Sequence, residues 1–382
     1  MGYKFATNAI HAGQSADPTT GAVMTPIYQT STYQQAAPGD HKGYEYSRGT
    51  NPTRRALEEC LAVLENGKYG LAFSSGMAAT ETVLKLLKPG DEVITGDDLY
   101  GGSYRIFTKV YERYGIRFHF VDMSQPEQIE SKINGNTRLI WIETPTNPTL
   151  KLADIAAVGQ LAKDAGVLLA VDNTFASPYL QNPLDLGADI VMHSVTKYIG
   201  GHSDVVMGAL VVKEQELYDR LFFYYNACGG TPGPQDCFLV LRGIKTLHLR
   251  MQAHCNNGRE VAEYLKTHPR VEKIYWPGFE DHPGHAIAKQ QMRDFGGMVS
   301  IVLKGASLQE TFDVASSFKV FTLAESLGGV ESLINHPATM THGSIPKALR
   351  EQVGVVDNLI RISVGVEDIG DLLADLEQAL DR

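Results

Sequence analysis

Residues 167–201 read VLLAVDNTFASPYLQNPLDLGADIVMHSVTKYIGG. The stretch contains two short apolar runs, VLLAV at 167–171 and ADIVM at 188–192, and each run gives way to polar residues. Runs that do not alternate between apolar and polar positions are typical of parallel strands covered on both faces. This stretch therefore predicts two strands of a buried, parallel sheet.

Similar runs, separated by helical patterns, extend over the first half of the chain. The candidate strands are 69–73, 92–95, 116–121, 138–143, 167–171, 188–192 and 206–212. They predict an α/β fold with a mostly parallel, doubly wound sheet of about seven strands. After Pro234 we expect a long helix at about 235–266 and shorter strands at 271–276, 298–303, 318–324 and 359–364, which indicate a smaller α+β C-terminal domain.

The length of the chain points to more than one domain. At 382 residues, 43% of them hydrophobic, it is too long for one ordinary core. Residues 1–50 carry few periodic apolar positions, so we expect an N-terminal arm that contacts a neighbouring subunit. Asn51 and Pro52 predict the start of a helix and of a large domain, 51–245. The C-terminal domain is predicted at 246–382.

Charge and cysteine content argue against several classes of function. The chain has 34 Lys and Arg against 44 Asp and Glu, a net charge of −10 without basic runs, so we expect no binding to nucleic acid or membranes. The four cysteines form no C-x-x-C pair, and Pro283-Gly284 interrupts the spacing of His282 and His285, so neither a disulfide framework nor a metal site is expected. Without an apolar signal segment or a membrane-spanning run, we expect a soluble, cytoplasmic protein.

Polar residues with catalytic potential follow three of the candidate strands. The turn after 69–73 contains Gly76 at the start of a helical pattern, where free backbone N–H groups suit a phosphate. Asp172 follows 167–171, and Ser194, Thr196 and Lys197 follow 188–192. Taken singly, these are more often a tight turn, a helix cap or ion pair, and a solvated lysine. Because carboxyl ends of parallel strands meet at one edge of a sheet, we expect the set to converge.

This set meets the requirements of pyridoxal 5′-phosphate (PLP). PLP needs a lysine for a Schiff base, a carboxylate for its pyridinium nitrogen and neutral donors for its phosphate. Enclosure in a pocket would lower the proton affinity of Lys197 and make its amine nucleophilic. A dinucleotide site would need G-x-G-x-x-G after the first strand, and the sequence has none there. PLP is therefore the predicted cofactor.

Specific motifs carry a resemblance to a known family. They are YSRGTNPTR (46–54), SSGMAA (74–79), YGGSYR (100–105), ETPTNP (143–148), VDNTF (171–175), HSVTKYIGGHSDV (193–205), ESLGGVESL (325–333) and LIRISVG (359–365). With them the chain resembles, over essentially its whole length, the Cys/Met-metabolism family of PLP-dependent enzymes, the cystathionine γ-lyase and γ-synthase group. The resemblance implies the PLP-dependent transferase fold, aspartate-aminotransferase-like and of fold type I. It also implies a homotetramer, a dimer of dimers with active sites shared between two subunits.

The resemblance assigns the cofactor site residue by residue. Lys197 would carry PLP as a Schiff base and then move protons, and Asp172 would keep the ring nitrogen protonated. Tyr100 would stack on the ring and assist proton transfer. The phosphate would be held by the amides of Gly76 and Met77, the hydroxyls of Ser194 and Thr196, and Tyr46 and Arg48 of a neighbouring subunit.

Arg361 is the expected partner of a substrate α-carboxylate. It lies in the apolar run LIRISV, where an unpaired guanidinium is costly, so an anionic partner is required. A structural Asp or Glu is the alternative partner. By resemblance, Asn147 and Ser326 would orient the cofactor's ring oxygen and the carboxylate, and Glu45 and Glu325 would bind the distal ammonium of L-cystathionine.

The resemblance also narrows the reaction. Gly102 stands where methionine γ-lyases typically place Cys, and the run 325–329 follows the γ-synthase and γ-lyase pattern. Glu45 resembles the γ-lyases, while Gly49 replaces the second Arg of enteric-type synthases. We therefore expect a cystathionine γ-lyase that converts L-cystathionine into L-cysteine, 2-oxobutanoate and ammonia. The alternatives are a γ-synthase, which joins an O-acyl-L-homoserine to L-cysteine, and a bifunctional β/γ-lyase. A non-catalytic PLP-binding protein is a further, less favoured alternative.

Overall fold

The computed structural model describes residues 2–381. Its strands are β1 (Tyr69–Phe73), β2 (Glu92–Gly96), β3 (Arg117–Val121), β4 (Thr137–Glu143), β5 (Leu168–Asp172), β6 (Ile190–Ser194), β7 (Gly208–Val212), β8 (Val271–Tyr275), β9 (Met298–Leu303), β10 (Thr322–Leu323), β11 (Leu333–Asn335) and β12 (Leu359–Ser363). Its α-helices are α1 (Phe5–His11), α2 (Pro52–Leu64), α3 (Gly76–Leu84), α4 (Gly101–Arg105), α5 (Pro126–Glu130), α6 (Ile155–Ala165), α7 (Ser177–Leu180), α8 (Gln215–Cys228), α9 (Pro234–Ile244), α10 (Leu247–Thr267), α11 (His285–Gln291), α12 (Leu308–Ala315), α13 (Lys347–Gln352) and α14 (Ile369–Leu380).

The seven-stranded sheet has the order β1-β7-β6-β5-β4-β2-β3. Its pairs from β6 through β3 are parallel, whereas β7 runs antiparallel to both of its neighbours. Every residue of β2 and β7 is buried, as expected for strands covered on both faces. The sheet confirms the predicted α/β fold with mostly parallel strands, and the register sets Glu143 beside Asp172.

The predicted helix start at Asn51 is confirmed in detail. The Asn51 side chain accepts hydrogen bonds from the backbone N–H groups of Thr53 and Arg54, and Pro occupies the first helical position. Along α2, Leu57 and Leu61 are buried on the face that packs on the sheet side. Burying each leucine contributes about 2 kcal/mol, so the apolar face anchors α2 to the core of the large sheet.

The C-terminal part of the chain forms a five-stranded sheet in the order β10-β11-β12-β9-β8. Its pairs are antiparallel except β10 with β11. Apolar side chains of α10, α14 and the sheet share one core that includes Leu265, Ile301, Ile360 and Leu376. The predicted α+β character of this region is confirmed.

Two predicted elements are wrong. The long helix at 235–266 is two helices, α9 and α10, because the Gly243 carbonyl accepts hydrogen bonds from the Thr246 hydroxyl and the Arg250 guanidinium, at 3.1 and 2.9 Å. The strand at 318–324 shrinks to β10. The backbone N–H groups of residues 319–321 donate to the buried carboxylate of Asp375 instead of to a neighbouring strand. In both places a side-chain group forms a hydrogen bond with a backbone group that a continuous helix or a longer strand would otherwise pair with another backbone group.

Two short elements escaped the sequence analysis. The three-residue strand β11 is too short to show a period, yet it pairs with β12. In the arm at 1–50, expected to be irregular, Phe5–His11 forms α1, whose Ala9 is fully buried against the large-sheet core. Beyond α1 the arm is mainly turns and isolated bridges.

Candidate active site

A cavity of about 260 Å³ lies at the carboxyl ends of three parallel strands. The last residues of β4, β5 and β6, which are Glu143, Asp172 and Ser194, all line it. The predicted site residues in its lining are Gly76, Met77, Tyr100, Asn147, Asp172, Ser194, Thr196, Lys197, Glu325, Ser326 and Arg361. The fold thus brings together residues from both sheets around one volume.

One end of the cavity is built from neutral hydrogen-bond donors. Ser75 caps α3, and the next two backbone N–H groups, of Gly76 and Met77, lie in the first helical turn, where no helical carbonyl can accept from them. A Cβ atom on Gly76 would lie 3.1 Å from the Cβ of Ser194, tighter than ordinary packing, so glycine permits this approach of α3 to β6. Such an end suits an anion.

Two hydroxyl groups adjoin this helix start. Ser194 ends β6, and its backbone N–H donates to the Thr174 hydroxyl at 2.9 Å, which fixes the residue. The Thr196 hydroxyl donates to the carbonyl of Met207 at 3.2 Å and accepts from its N–H at 3.1 Å. The backbone of Ser194 and the hydroxyl of Thr196 are therefore held in place, and Ser194 lies next to Gly76 at the start of α3.

Asp172 offers a carboxylate oxygen to the cavity. Its Oδ1 accepts two hydrogen bonds from Thr174, from the backbone N–H at 3.1 Å and the hydroxyl at 2.5 Å. Burial outweighs these bonds and raises the pKa of the Asp172 carboxyl. A buried carboxylate binds a protonated partner more strongly than an exposed carboxylate does. The second oxygen of Asp172 therefore suits a protonated ring nitrogen.

Lys197 lies in the turn after β6. Its Nζ donates to the Ser326 hydroxyl at 2.9 Å. Burial, together with the positive charge of Arg361, lowers the pKa of Lys197 to about 8. About a tenth of the amine is therefore neutral at pH 7, far more than for an exposed lysine, and a neutral amine can attack a carbonyl group. Ser326 has a φ of 98°, a strained conformation for a residue with a side chain, at the point that meets this amine.

Arg361, in the middle of β12, is a buried cation bonded to neutral oxygens. Its Nη1 donates to Asn147 Oδ1 at 2.9 Å and its Nη2 to the Ser326 carbonyl at 2.7 Å. Its Nε is buried and finds no hydrogen-bond partner within residues 2–381. Burial lowers the pKa of Arg361 to about 10, which leaves it charged at neutral pH. The structural Asp or Glu considered from the sequence is not bonded to it in the described chain, and an anionic ligand would compensate the charge.

Tyr100 precedes α4, and its ring position depends on the two glycines that follow. A Cβ atom on Gly102 would lie 2.3 Å from Cε1 of the Tyr100 ring, and one on Gly101 would lie 2.3 Å from the Thr341 carbonyl oxygen. The backbone N–H of Tyr100 donates to Glu143 Oε2 at 2.8 Å. Burial raises the pKa of the Tyr100 phenol, so the group keeps its proton near neutral pH.

The three predicted arm residues lie outside this cavity. Arg48 stacks over the ring of Tyr46, with its guanidinium carbon 5.3 Å from the ring centroid, and its Nε donates to Asn226 at 3.3 Å. Glu45 lies 3.4 Å from His41. All three side chains are exposed. Their assignment to the site of a neighbouring subunit stays a prediction.

Some lining residues were not identified from the sequence. Glu143 is the most informative of them, since it ends a candidate strand and opens the motif ETPTNP, the same position rule that pointed to Asp172. Thr174 lies two residues after Asp172 and donates two hydrogen bonds to its carboxylate. Thr341 comes from a loop far along the chain, and nothing in the sequence pattern points to it.

Metal ligands and membrane spans were also examined within residues 2–381. No group of three or more His, Cys, Asp or Glu side chains there is arranged to hold a metal ion. No helix in the same range has the length and apolar character to cross a bilayer. The four cysteines are unpaired, and three of them are buried.

Comparisons with known proteins agree with this geometry. The family model described as Cys/Met metabolism PLP-dependent enzyme matches residues 6–381. A cystathionine gamma-lyase of Dictyostelium discoideum is 55% identical over 381 residues, 100% of this chain and 98% of the relative. A cystathionine beta-lyase of Coxiella burnetii is 54% identical over 376 residues, 98% of this chain and 97% of the relative.

A cystathionine gamma-synthase of Mycobacterium bovis is 53% identical over 377 residues, 98% of this chain and 96% of the relative. The solved structure of a cystathionine gamma-lyase from Lactobacillus plantarum, complexed with L-serine, superposes with a TM-score of 0.97 at 50% identity and covers 99% of both chains. That match confirms the predicted fold class. The three enzyme names occur among relatives of nearly equal identity.

Proposed function

Because the chain belongs to the Cys/Met-metabolism family of PLP-dependent enzymes, we propose that it is a cystathionine γ-lyase, which cleaves L-cystathionine to L-cysteine, 2-oxobutanoate and ammonia. The family makes it a PLP-dependent trans-sulfuration enzyme of cystathionine metabolism. The observation that best supports an amino-acid substrate is the buried Arg361, which lines the same cavity as Lys197. Its Nε lacks a hydrogen-bond partner in the described chain. Arg361 would bind the α-carboxylate of the substrate, and the α-amine of the substrate would compete with the Lys197 amine for the aldehyde of PLP.

The donor set of the cavity fits PLP. The first-turn amides of α3 and the hydroxyls of Ser194 and Thr196 would hold the phosphate, and the free oxygen of Asp172 would hold the ring nitrogen. Lys197 would hold the aldehyde carbon covalently. When bound, PLP supplies a protonated ring that takes up the electron pair left behind when the substrate loses a proton.

We assign the proton transfers at carbon to Lys197. Its amine, with a pKa lowered to about 8, can accept and release protons near neutral pH. Once the substrate's own amine has displaced it, Lys197 would remove the Cα proton. Lys197, having passed the Cα proton on to a neighbouring carbon of the substrate and cofactor, would then accept a Cβ proton, and the loss of the Cβ proton makes the Cγ–S bond labile. Ser326, which accepts from Nζ at 2.9 Å, keeps the amine at this end of the cavity.

The departing thiolate needs a proton, and Tyr100 is placed to give one. Burial raises the pKa of its phenol, so the proton is present at neutral pH and is available when a thiolate forms nearby. Lys197, which would by then have gained the Cβ proton, is the second possible donor. In either case the sulfur leaves as the neutral thiol of L-cysteine.

The acids near the cavity suit cystathionine as the compound bound there. Glu325 lines the cavity, and its carboxylate suits the distal ammonium group of L-cystathionine. The L-cysteine that a γ-synthase joins to an O-acyl-L-homoserine carries the same ammonium, so these acids support cystathionine binding, and the products formed separate cleavage from synthesis. Glu45, on the exposed arm, would add a second acid from a neighbouring subunit.

We further propose that the active unit is a dimer and that two dimers form a homotetramer. Tyr46 and Arg48 are exposed on the arm and lie outside the cavity of their own chain. An exposed cation stacked on a tyrosine can supply an anion site to a second chain. This arrangement would complete the phosphate site from across the interface.

Product analysis tests the proposed reaction. The holoenzyme is incubated with L-cystathionine, and we expect 2-oxobutanoate in equimolar amounts with ammonia and L-cysteine. Pyruvate as the keto acid would instead indicate β-cleavage. A parallel incubation with an O-acyl-L-homoserine and L-cysteine tests synthesis: rapid formation of cystathionine without its breakdown would contradict the proposal.

A further inference from the structure

Glu143 is a buried carboxylate with a neighbour of the same charge. It is 6% exposed, ends β4 and pairs in the sheet with Asp172 of β5. Both side chains line the cavity. Burial and the charge of Asp172 raise the pKa of Glu143 well above its ordinary value. Burying this carboxylate beside Asp172 costs folding free energy. The hydrogen bonds that its two oxygens accept therefore indicate why an acid is present here.

Each oxygen of Glu143 accepts a backbone hydrogen bond from a different segment of the chain. Oε2 accepts from the N–H of Tyr100 at 2.8 Å, and Oε1 accepts from the N–H of Asn147 at 3.0 Å. Tyr100 precedes α4, whereas Asn147 lies in the loop after β4. One carboxylate therefore ties two separate segments together at the point where each presents a side chain to the cavity.

The second of these links continues to the substrate-binding cation. The Asn147 side-chain oxygen accepts from Arg361 Nη1 at 2.9 Å, so the position of the Asn147 backbone sets the position of the guanidinium's partner. His342 Nε2 lies 3.0 Å from the carbonyl oxygen of Asn147 and adds a second restraint from the C-terminal part. Glu143 is therefore hydrogen-bonded directly to Tyr100, and it is linked to Arg361 through one intervening residue, Asn147.

We propose that Glu143 is a positioning residue for the PLP reaction, which holds Tyr100 through one oxygen and Asn147, with its partner Arg361, through the other. The inference needs PLP and an amino-acid substrate, and it holds for γ-lyase and γ-synthase alike. Glu143 acts through its two hydrogen bonds and is not itself required to contact substrate.

Replacing Glu143 with glutamine tests its two hydrogen bonds without changing the size of the side chain. Glu143→Gln keeps the size of the side chain, but its amide has one acceptor and one donor group. One of the two backbone N–H groups would then face an NH₂ group and lose its bond. Loss of the Tyr100 link lowers kcat, and loss of the Asn147 link raises KM, because Asn147 orients the cation that binds the substrate carboxylate.

Glu92→Gln is the matched control. Glu92 is also a buried carboxylate of the large sheet, 4% exposed, and accepts from Asn134 at 2.8 Å and from Arg117 at 3.0 Å, with His119 at 2.7 Å. It begins β2 and does not line the cavity. The two substitutions therefore make the same chemical change in the same sheet at different distances from the site.

The experiment compares both holoenzyme variants with the wild type by kinetics with L-cystathionine, by the visible circular dichroism of bound cofactor, and by thermal unfolding. We expect Glu143→Gln to lower kcat/KM about 10- to 100-fold, the loss of one hydrogen bond to a charged group, and to change the cofactor dichroism. We expect Glu92→Gln to lower the unfolding temperature and leave the cofactor signal and kcat/KM unchanged.

Wild-type dichroism and kcat/KM in Glu143→Gln would overturn the inference, as would an equal loss in both variants. If L-cystathionine proves not to be a substrate, the proposed γ-lyase reaction fails, while the cofactor dichroism still tests Glu143. If Glu143→Gln does not fold, Glu143→Asp replaces it. The shorter acid keeps the charge but cannot reach both N–H groups, so an unchanged cofactor signal and rate in that variant would equally overturn the inference.

Discussion

Arg361→Lys tests how the site binds an amino acid, because it keeps the charge and removes the planar guanidinium. In the wild type two guanidinium nitrogens are held by Asn147 and Ser326, at 2.9 and 2.7 Å, and the buried Nε has no partner within the described chain. A lysine ammonium cannot offer a carboxylate two parallel N–H bonds from a fixed plane. The substitution should therefore cost one of the two bonds to the substrate carboxylate.

The size of the effect follows from that bond. A hydrogen bond between charged groups contributes about 1.5–3 kcal/mol, which corresponds to a fall of about 10- to 150-fold in kcat/KM. The carboxylate is bound in the ground state and the transition state alike, so we expect most of the change in KM. Initial rates of keto acid formation from L-cystathionine, over a range of substrate concentrations, give both constants.

Arg350→Lys serves as the control for this prediction. Arg350 is likewise buried, and it donates to the Val355 carbonyl at 2.8 Å and to Asp357, but it does not line the cavity. Its substitution should reduce stability and leave KM unchanged. An unchanged KM in Arg361→Lys, or an equal rise in Arg350→Lys, would refute the reasoning about substrate binding.

Three further predictions concern the position of Tyr100, the loss of stability at acid pH and the sharing of the active site between two subunits. Gly102→Ala places a Cβ 2.3 Å from the Tyr100 ring, so kcat should fall about 10- to 100-fold with cofactor absorbance retained; an unaltered kcat would contradict this. Burial lowers the pKa of His254 from 6.5 to about 4, so the folded state resists its protonation, and about 3 kcal/mol of stability should be lost as pH falls from 6.5 to 4. Urea unfolding at several pH values should show a smaller acid loss in His254→Gln. Refolding Arg48→Ala chains with Lys197→Ala chains should restore about a quarter of wild-type activity if sites are shared across a dimer, and no recovery would argue against sharing.

The large sheet was predictable because its strands are marked by apolar runs that need no tertiary context. The predicted and observed strand ends differ by at most two residues, and the main difference is informative: β5 and β6 extend through Asp172 and Ser194, so these polar residues end the strands rather than follow them. The break after α9 was not predictable. It depends on side chains of Thr246 and Arg250 that compete for one carbonyl, which no local period records.

The site could be predicted where position along a strand determines chemistry. Asp172 and Lys197 follow from strand ends, and Arg361 follows from the cost of an unpaired cation in an apolar run. Ser326, with its strained φ, bonds to Lys197 and Arg361, which are far away in the chain, so its conformation leaves no signal in the local sequence. Glu143 could have been found by the strand-end rule, but its role is visible only from its two backbone partners.

The account depends most directly on the Lys197 amine, since every proton transfer and the attachment of the cofactor are assigned to it. The holoenzyme is reduced with borohydride and digested, and the peptides are mapped by mass spectrometry. We expect a phosphopyridoxyl group on Lys197, and we expect its loss in Lys197→Ala without loss of folding. A reduced adduct on a different lysine, or none in protein saturated with PLP, would contradict the account.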